Sequence, residues 1–145
     1  MSILAAVGGG PRDSDVVCTG WDLATAFDDR LVVVHVLDEE EFQERRDRKH
    51  EYYQEDAVED ATAVAKERAE EALDTPDIDG VSDITSDGTT GDPTAMILQK
   101  ATEHNARYVV IGGRKRSPVG KALFGSTTQS ILLSIDRPVV TVTEE

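Results

Sequence analysis

A glycine-rich loop between positions 112 and 127 carries the residues whose types and spacing best suit chemistry. Its four basic side chains are Arg114, Lys115, Arg116 and Lys121. Glycines lack a Cβ atom, so backbone N–H groups can approach an anion closely. Gly125-Ser126-Thr127 then opens a helix, whose free N–H groups and positive dipole end favour phosphate. The loop therefore predicts an anion site for a phosphorylated small molecule.

The same loop also has a purely structural interpretation. Ser126 and Gln129 have the spacing of a capping box, in which Ser126 would only satisfy N–H groups of its own helix. Gly125 would allow a tight entry into that helix, and the basic residues would balance nearby acids. On the loop alone, both interpretations stay open.

The loop lies within an alternation of apolar runs and helical patterns that covers the whole chain. Strands are predicted at 2–7, 31–37, 81–86, 107–111 and 138–143. Helices are predicted at 13–27, 57–73, 93–105 and 126–135, and the mostly charged stretch 38–56 is predicted as a solvated lead-in to the second helix. This order predicts one α/β domain over residues 1–145, a three-layer sandwich with a five-stranded, parallel, doubly wound sheet.

In sheets of this kind, ligands bind beyond the carboxyl ends of the strands, where the strand order reverses. That rule points to two loops, one after Val7 and one after Ile111. The first contains Gly8-Gly9-Gly10 and adds a further cation, Arg12. We therefore expect the two glycine loops to face the same ligand.

Composition excludes several classes of protein. The chain has 29 Asp and Glu against 15 Lys and Arg, a formal net charge of −14, which repels phosphate backbones and argues against general nucleic-acid binding. The only cysteine, Cys18, excludes an intramolecular disulfide and a multi-cysteine metal site. No apolar run reaches the roughly 18 residues of a membrane span, so we expect a cytoplasmic protein without membrane contact. The acidity favours a halophilic source, and an ordinary acidic protein is the alternative.

Familiar catalytic and phosphate-binding motifs are absent or incomplete. A Walker A loop fails because Ala122 follows Gly120-Lys121. A dinucleotide fingerprint fails because Asp13 stands at its last glycine position. The loop after the first strand partly matches a pyrophosphatase loop, which keeps an adenylating enzyme as a rival. His35 lies in an apolar strand and is interpreted as a core histidine rather than a base.

The order, spacing and motifs of the chain resemble a single-domain universal stress protein of the UspA family. The family signature, Gly-x2-Gly-x9-Gly-[Ser/Thr] after the fourth strand, matches at Gly112 and at Gly125-Ser126, with Lys115 in place of its second glycine. Further matching segments are His35-Val36, Gly91-Asp92-Pro93 and Arg137-Pro138-Val139-Val140. The resemblance implies a Rossmann-like fold of the adenine-nucleotide alpha hydrolase-like type.

The resemblance also implies a bound nucleotide, ATP or another adenine nucleotide, with or without Mg²⁺. Val36 would lie against adenine, the first-strand loop would hold the ribose side, and the glycine signature would surround the phosphates. Nucleotide-binding members usually end the first strand with Asp where this chain has Gly8, so that carboxylate is expected to be missing. The implied binding residues are Gly8, Gly9, Val36, Ile111, Gly112, Gly113, Arg114, Lys115, Arg116, Gly125, Ser126 and Thr127.

Three functions follow as hypotheses. The first is an ATP-binding, dimeric stress sensor or regulator without catalytic residues, paired through the last strand, 138–143. The second is a dimeric interaction module of the same fold that does not bind ATP. The third is an adenylating or ATP-hydrolysing enzyme. No residue is assigned to catalysis or to a metal.

Overall fold

The computed structural model describes residues 1–113 and 125–143. The strands are β1 (Ser2–Ala6), β2 (Arg30–Leu37), β3 (Ile84–Thr90), β4 (Ala106–Gly112) and β5 (Val139–Val142). The helices are α1 (Asp13–Phe27), α2 (Glu39–Arg48), α3 (Gln54–Leu73), α4 (Pro93–Glu103) and α5 (Ser126–Ser134), with a 3-10 turn at Ile78–Gly80. Among these described helices, none is long and apolar enough to cross a lipid bilayer.

The five strands form one parallel sheet in the order β3-β2-β1-β4-β5. Alternate residues of each strand face opposite layers. Ile3 and Ala5 of β1 pack with apolar residues of α1 and α3, whereas Leu4 packs with those of α4 and α5. The α/β prediction, with a doubly wound parallel sheet between two helical layers, is confirmed.

Small residues bring the helices close to this sheet. A Cβ atom on Gly20 of α1 would lie 3.0 Å from Leu31 Cδ1 and 3.3 Å from Ala5 Cβ. On α3, the buried stripe consists of alanines at 57, 61, 65 and 69. The close helix–sheet approach predicted at Gly20 is therefore present in the structure.

Two elements differ from the sequence prediction. The charged stretch after β2 forms a separate helix, α2, which has no buried residue but begins with a side-chain cap from Asp38. The third strand lies at Ile84–Thr90 rather than at 81–86, because Val81 closes the 3-10 turn. Pairing with all of β2 from Leu31 to Leu37 overrides the polar composition of β3.

Candidate functional site

A cleft of about 580 Å³ opens beyond the carboxyl ends of the central strands. It lies where β1 pairs with β2 on one side and with β4 on the other, which is the point where the strand order reverses. Both glycine loops singled out in the sequence reach it, with Gly8 and Gly10 from one and Gly112 and Gly113 from the other. The structure thus places the cleft where the parallel sheet leaves room for a ligand.

Seven of the sequence-predicted binding residues line this cleft, and the others divide into two groups. Those lining it are Gly8, Val36, Ile111, Gly112, Gly113, Gly125 and Thr127. Gly9 and Ser126 belong to the same loops but are not among the lining residues. Arg114, Lys115 and Arg116 lie outside the described residues.

The amino end of α5 presents backbone donors to the cleft. The first N–H that bonds back along the helix is that of Gln129, which donates to the Gly125 carbonyl at 3.0 Å. The preceding N–H groups, those of residues 126–128, have no acceptor among the described residues, as expected for a helix start. Thr128 Oγ1 donates to the Gly112 carbonyl at 3.0 Å and so fixes the helix end against β4. An anion here would meet free N–H groups and the positive end of the helix dipole.

The capping box predicted at Ser126 is wrong. Gly125, not Ser126, occupies the N-cap position, and no side chain caps this helix. Glycine in the extended conformation seen here, with φ −67° and ψ 165°, places no side chain of its own over the first turn. The purely structural interpretation of Ser126 therefore loses its main support.

The loop after β1 contains a carboxylate, although Gly8 itself supplies none. Asp13, at the start of α1, accepts hydrogen bonds from the N–H groups of Gly8 at 3.0 Å and Gly9 at 2.8 Å. Its side chain is buried, and Arg68 Nε of α3 lies 3.5 Å from it. The carboxylate of Asp13 thus occupies the first loop, and the N–H groups of Gly8 and Gly9 already donate to it.

A hydrogen bond joins the two glycine loops at the entrance of the cleft. Arg12 Nε donates to the Gly113 carbonyl at 3.3 Å, which links the loop after β1 to the end of β4. Gly112 lies directly beneath this arginine, since a Cβ atom there would come within 3.1 Å of Arg12 Cβ. The missing side chain at Gly112 therefore allows Arg12 to cross the cleft margin.

The floor of the cleft is apolar. It is formed by side chains from β2, α4, β4 and α5, namely Val34, Val36, Ile97, Ile111 and Ile131. His35 also reaches the cleft, and its Nδ1 donates to the buried Val7 carbonyl at 2.8 Å. The imidazole is therefore a satisfied structural group, in agreement with its interpretation as a core histidine.

Three acidic side chains at this cleft were not identified as site residues from the sequence. Asp13, Asp38 and Glu41 all line it, the last two from the beginning of α2. The high density of carboxylates in this chain hides them, because any acidic pair in such a sequence looks like background. The sequence does distinguish Asp38, because it directly follows the apolar run of β2 and so lies at the carboxyl end of a strand, where ligands bind.

Comparison with known proteins identifies the family and the fold of the chain. The model of the universal stress protein family matches residues 1–143. A universal stress protein from Mycolicibacterium smegmatis is 43% identical over 51 residues, which are 35% of this chain and 39% of that protein. The chain thus matches about two fifths of the length of this curated relative.

Solved structures show the same fold. The universal stress protein of Archaeoglobus fulgidus in complex with dAMP is 20% identical, with a TM-score of 0.60 over 97% of this chain and 96% of that one. A universal stress protein in complex with cAMP is 18% identical, with a TM-score of 0.62 over 99% of this chain and 96% of that one. At these identities the likeness concerns the fold.

Proposed function

The chain belongs to the universal stress protein family, and on that premise we propose that its cleft binds an adenine nucleotide, with ATP as the leading candidate. The protein then acts as a nucleotide-dependent sensor or regulator rather than as a catalyst. Mg²⁺ would enter with the phosphates of ATP, because it is usually held by phosphate oxygens together with few protein ligands.

The observation that carries this proposal is the division of one cleft into an apolar floor and a donor-rich end. A purine ring suits the floor around Val36 and Ile111, where it would leave water. The phosphates suit the side at the start of α5, where the N–H groups of residues 126–128 have no acceptor among the described residues and Gly112 has no side chain. The relatives solved with cAMP and dAMP support an adenine nucleotide as the ligand class.

The proposal of a regulator rather than a catalyst rests on the hydrogen bonds that the ionisable side chains at the cleft, His35 and Asp13, already make. His35 donates to a backbone carbonyl, and the carboxylate of Asp13 holds two loop amides. Neither group has a nucleophile as its partner among the described residues. Both therefore maintain the shape of the cleft, and we expect binding without rapid turnover.

Isothermal titration calorimetry with AMP, ADP and ATP, with and without Mg²⁺, tests this function. We expect at least one nucleotide to bind, and Gly125→Val to weaken that binding by about tenfold or more, because its side chain would cover the donors of α5. Gly80→Val is the matched control, since a Cβ there meets nothing within 4 Å and Gly80 does not line the cleft.

Three outcomes of this experiment count against the proposal. If all three nucleotides fail to bind, the function is overturned and a dimeric module with a vacant cleft takes its place. If Gly125→Val and wild type bind the nucleotide with equal affinity, the phosphates do not bind at the start of α5. Steady release of phosphate from ATP would replace the regulator by an ATP-hydrolysing or adenylating enzyme.

The protein is further proposed to form a homodimer through its last strand, 138–143. β5 pairs only with β4, so its other edge offers unpaired backbone groups among the described residues. The preceding helix, α5, carries Leu133, which at 82% exposure is the most exposed large apolar residue in the described part of the chain. A second copy of the chain would satisfy the edge of β5 by continuing the sheet.

The net charge of −14 supports a cellular setting for this function. A strongly acidic surface suits a salt-rich cytoplasm, and it disfavours nucleic acid as a partner. We therefore propose a cytoplasmic protein of a halophilic source that takes a small nucleotide and not a polynucleotide. Nucleotide affinity that persists at molar salt is the expected behaviour.

A further inference from the structure

The carboxylate of Asp13 lies in a group of donors that suits an anion. Its Oδ1 accepts from the N–H of Gly8 at 3.0 Å and its Oδ2 from the N–H of Gly9 at 2.8 Å, so each oxygen has a backbone donor of its own. Gly9 has a φ of +88°, and the two successive N–H groups converge on this one carboxylate. Consecutive N–H groups arranged in this way form a nest, the concave backbone site in which proteins hold phosphate and other anions.

A cation and a helix end complete the nest of Gly8 and Gly9. Arg68 of α3 places its Nε 3.5 Å from Asp13 Oδ2, and its Nη2 donates to the Gly9 carbonyl at 3.4 Å. Asp13 is also the first residue of α1, where the positive end of the helix dipole favours negative charge. The carboxylate is thus surrounded by backbone donors, a guanidinium and a helix end, and Asp13 is only 6% exposed.

The same place in the fold holds phosphate in dinucleotide-binding proteins. In those proteins the loop between the first strand and the first helix has the pattern Gly-x-Gly-x-x-Gly, and the pyrophosphate lies on this loop at the start of the helix. In this chain Gly8 and Gly10 stand at the first two glycine positions and Asp13 at the third. The carboxylate therefore takes the donors that a phosphate receives in those proteins.

The nest lies at the cleft, because Gly8 and Asp13 both line it. A phosphate group that approached the nest would find its two N–H groups engaged and would be repelled by the carboxylate. At the start of α5, by contrast, the N–H groups of residues 126–128 have no acceptor among the described residues. One glycine loop thus has its donors in use, whereas the other presents donors to a ligand.

We propose that Gly8 and Gly9 form a phosphate-type anion site whose ligand is the protein's own Asp13. Asp13 thereby excludes phosphate from the first glycine loop and confines the phosphates of the bound nucleotide to the start of α5. The internally filled site follows from the contacts of Asp13, whereas the confinement of the phosphates rests on the proposed nucleotide function. Asp13 is then a specificity residue, because it sets the direction in which the nucleotide lies in the cleft.

Asp13→Ala tests the internally filled site by anion rescue. The substitution removes the carboxylate and leaves the N–H groups of Gly8 and Gly9 to an anion from solution. We expect about 50 mM inorganic phosphate to raise the midpoint of thermal unfolding of this variant by about 3 °C or more, relative to chloride at the same ionic strength. The wild type should rise by about 1 °C or less, because its own carboxylate keeps phosphate out.

Two control variants separate an opened nest from the loss of a charge. Asp15→Ala removes the same charge from an exposed residue of the first turn of α1 that does not line the cleft. Asp13→Asn removes the charge but keeps the nest filled, so it should respond to phosphate no more than wild type does. If Asp13→Ala does not fold in chloride, phosphate should restore its far-UV circular dichroism. A response of Asp13→Ala no larger than that of Asp15→Ala, or no recovery of the fold in phosphate, overturns the anion site.

Calorimetry with AMP, ADP and ATP tests the confinement of the phosphates. Gly125→Val should weaken nucleotide binding by about tenfold or more in the wild-type chain, but by about threefold or less in Asp13→Ala, where the opened nest offers the phosphates a second place. Asp13→Ser serves as the background if the alanine variant folds only in phosphate. Equal losses in both backgrounds overturn the confinement while nucleotide binding stands. If no nucleotide binds, the proposed function and the confinement are both overturned, and the phosphate rescue still decides the anion site.

Discussion

Gly88 illustrates, at the scale of a single residue, how close packing constrains this fold. It lies in β3 opposite His35 of β2, and Ala61 and Thr62 of α3 pack against it. A Cβ atom at this position would overlap the backbone nitrogen of Thr62 and lie 2.5 Å from the carbonyl carbon of Ala61. These neighbours are backbone atoms of a helix, which cannot move aside as a flexible side chain would.

Gly88→Ala is therefore expected to lower the free energy of unfolding by about 2 kcal/mol or more, since α3 must be displaced from β3. Urea unfolding monitored by far-UV circular dichroism measures this change. Gly80→Ala, at a glycine with open space around its Cβ position, is the control and should change stability far less. Equal effects of the two substitutions would contradict the packing argument.

The residues of the cleft show which side chains a sequence reveals. Gly112 and Gly125 were identified because glycine spacing is a local signal. The sequence shows Asp13 as a mismatch in a glycine motif and as the start of a helix, whereas in the structure its carboxylate accepts from the N–H of Gly8. That role depends on a turn which brings residue 13 back onto the amides of residues 8 and 9, and spacing alone does not show such a turn.

At the scale of elements, α2 is the helix with the least support. None of its residues is buried, and its attachment consists of the polar network at Asp60 together with the contact of the Phe42 and Tyr52 rings, whose centroids lie 5.5 Å apart. Burial and the hydrogen bond to Asp60 raise the pKa of the Tyr52 hydroxyl, which therefore remains a proton donor at neutral pH. Tyr52, at 4% exposure, is the main apolar anchor of this segment.

Tyr52→Phe should loosen α2 while leaving the sheet intact, because it removes one donor to Asp60 and keeps the ring. We expect a loss of about 1 kcal/mol and faster amide hydrogen exchange confined to α2 and the start of α3. Hydrogen exchange read by mass spectrometry measures this effect. Tyr53→Phe is the control, because the Tyr53 side chain is exposed and makes no side-chain hydrogen bond to Asp60. Uniform exchange across the chain would contradict a local anchor.

The third strand was the element that sequence patterns placed least well. Its central residues Asp87 and Gly88 have low strand propensity, and the strand has a single large apolar residue, Ile84, so an apolar pattern does not identify it. The strand forms because its backbone pairs with β2 along its length and because α3 covers it at Gly88. A pairing partner more than fifty residues away, rather than local composition, decides where this strand lies.

At the scale of the whole molecule, the edge of β5 that pairs with no other described strand is the feature with the largest consequence. The carbonyl group of Pro138 accepts from Val109 of β4 and that of Val142 accepts from Gly113, which directly follows β4, so the backbone of Pro138 and Val142 faces inward. Successive residues of a strand direct their N–H groups to opposite edges. The N–H of Thr141 therefore faces outward, where the proposed partner copy would pair, and that of Val140 faces β4.

Thr141→Pro should convert the proposed dimer to a monomer with an unchanged fold, because the donor that proline removes faces outward. Light scattering coupled to size exclusion gives the mass, and circular dichroism reports the fold. Val140→Pro, the adjacent control, removes a donor to β4 and should destabilise the sheet instead. Thr141→Lys tests the same pairing while keeping the backbone N–H, because it adds a charged side chain to the edge strand. A monomeric wild type, or a dimer that persists in the two Thr141 variants, would refute pairing through β5.

The sequence by itself determined the α/β alternation, the parallel sheet and the two loops that meet at the cleft. These features follow from hydrophobic periodicity and glycine placement, which act within a few residues of each other. Tertiary structure alone decided that Asp13 closes the first loop, that Asp38 and Glu41 form an acidic side, and that Gly125 rather than Ser126 starts α5. The physical reason is that these features depend on which distant backbone groups come within hydrogen-bonding distance, and that is known only once the sheet and its helices have packed.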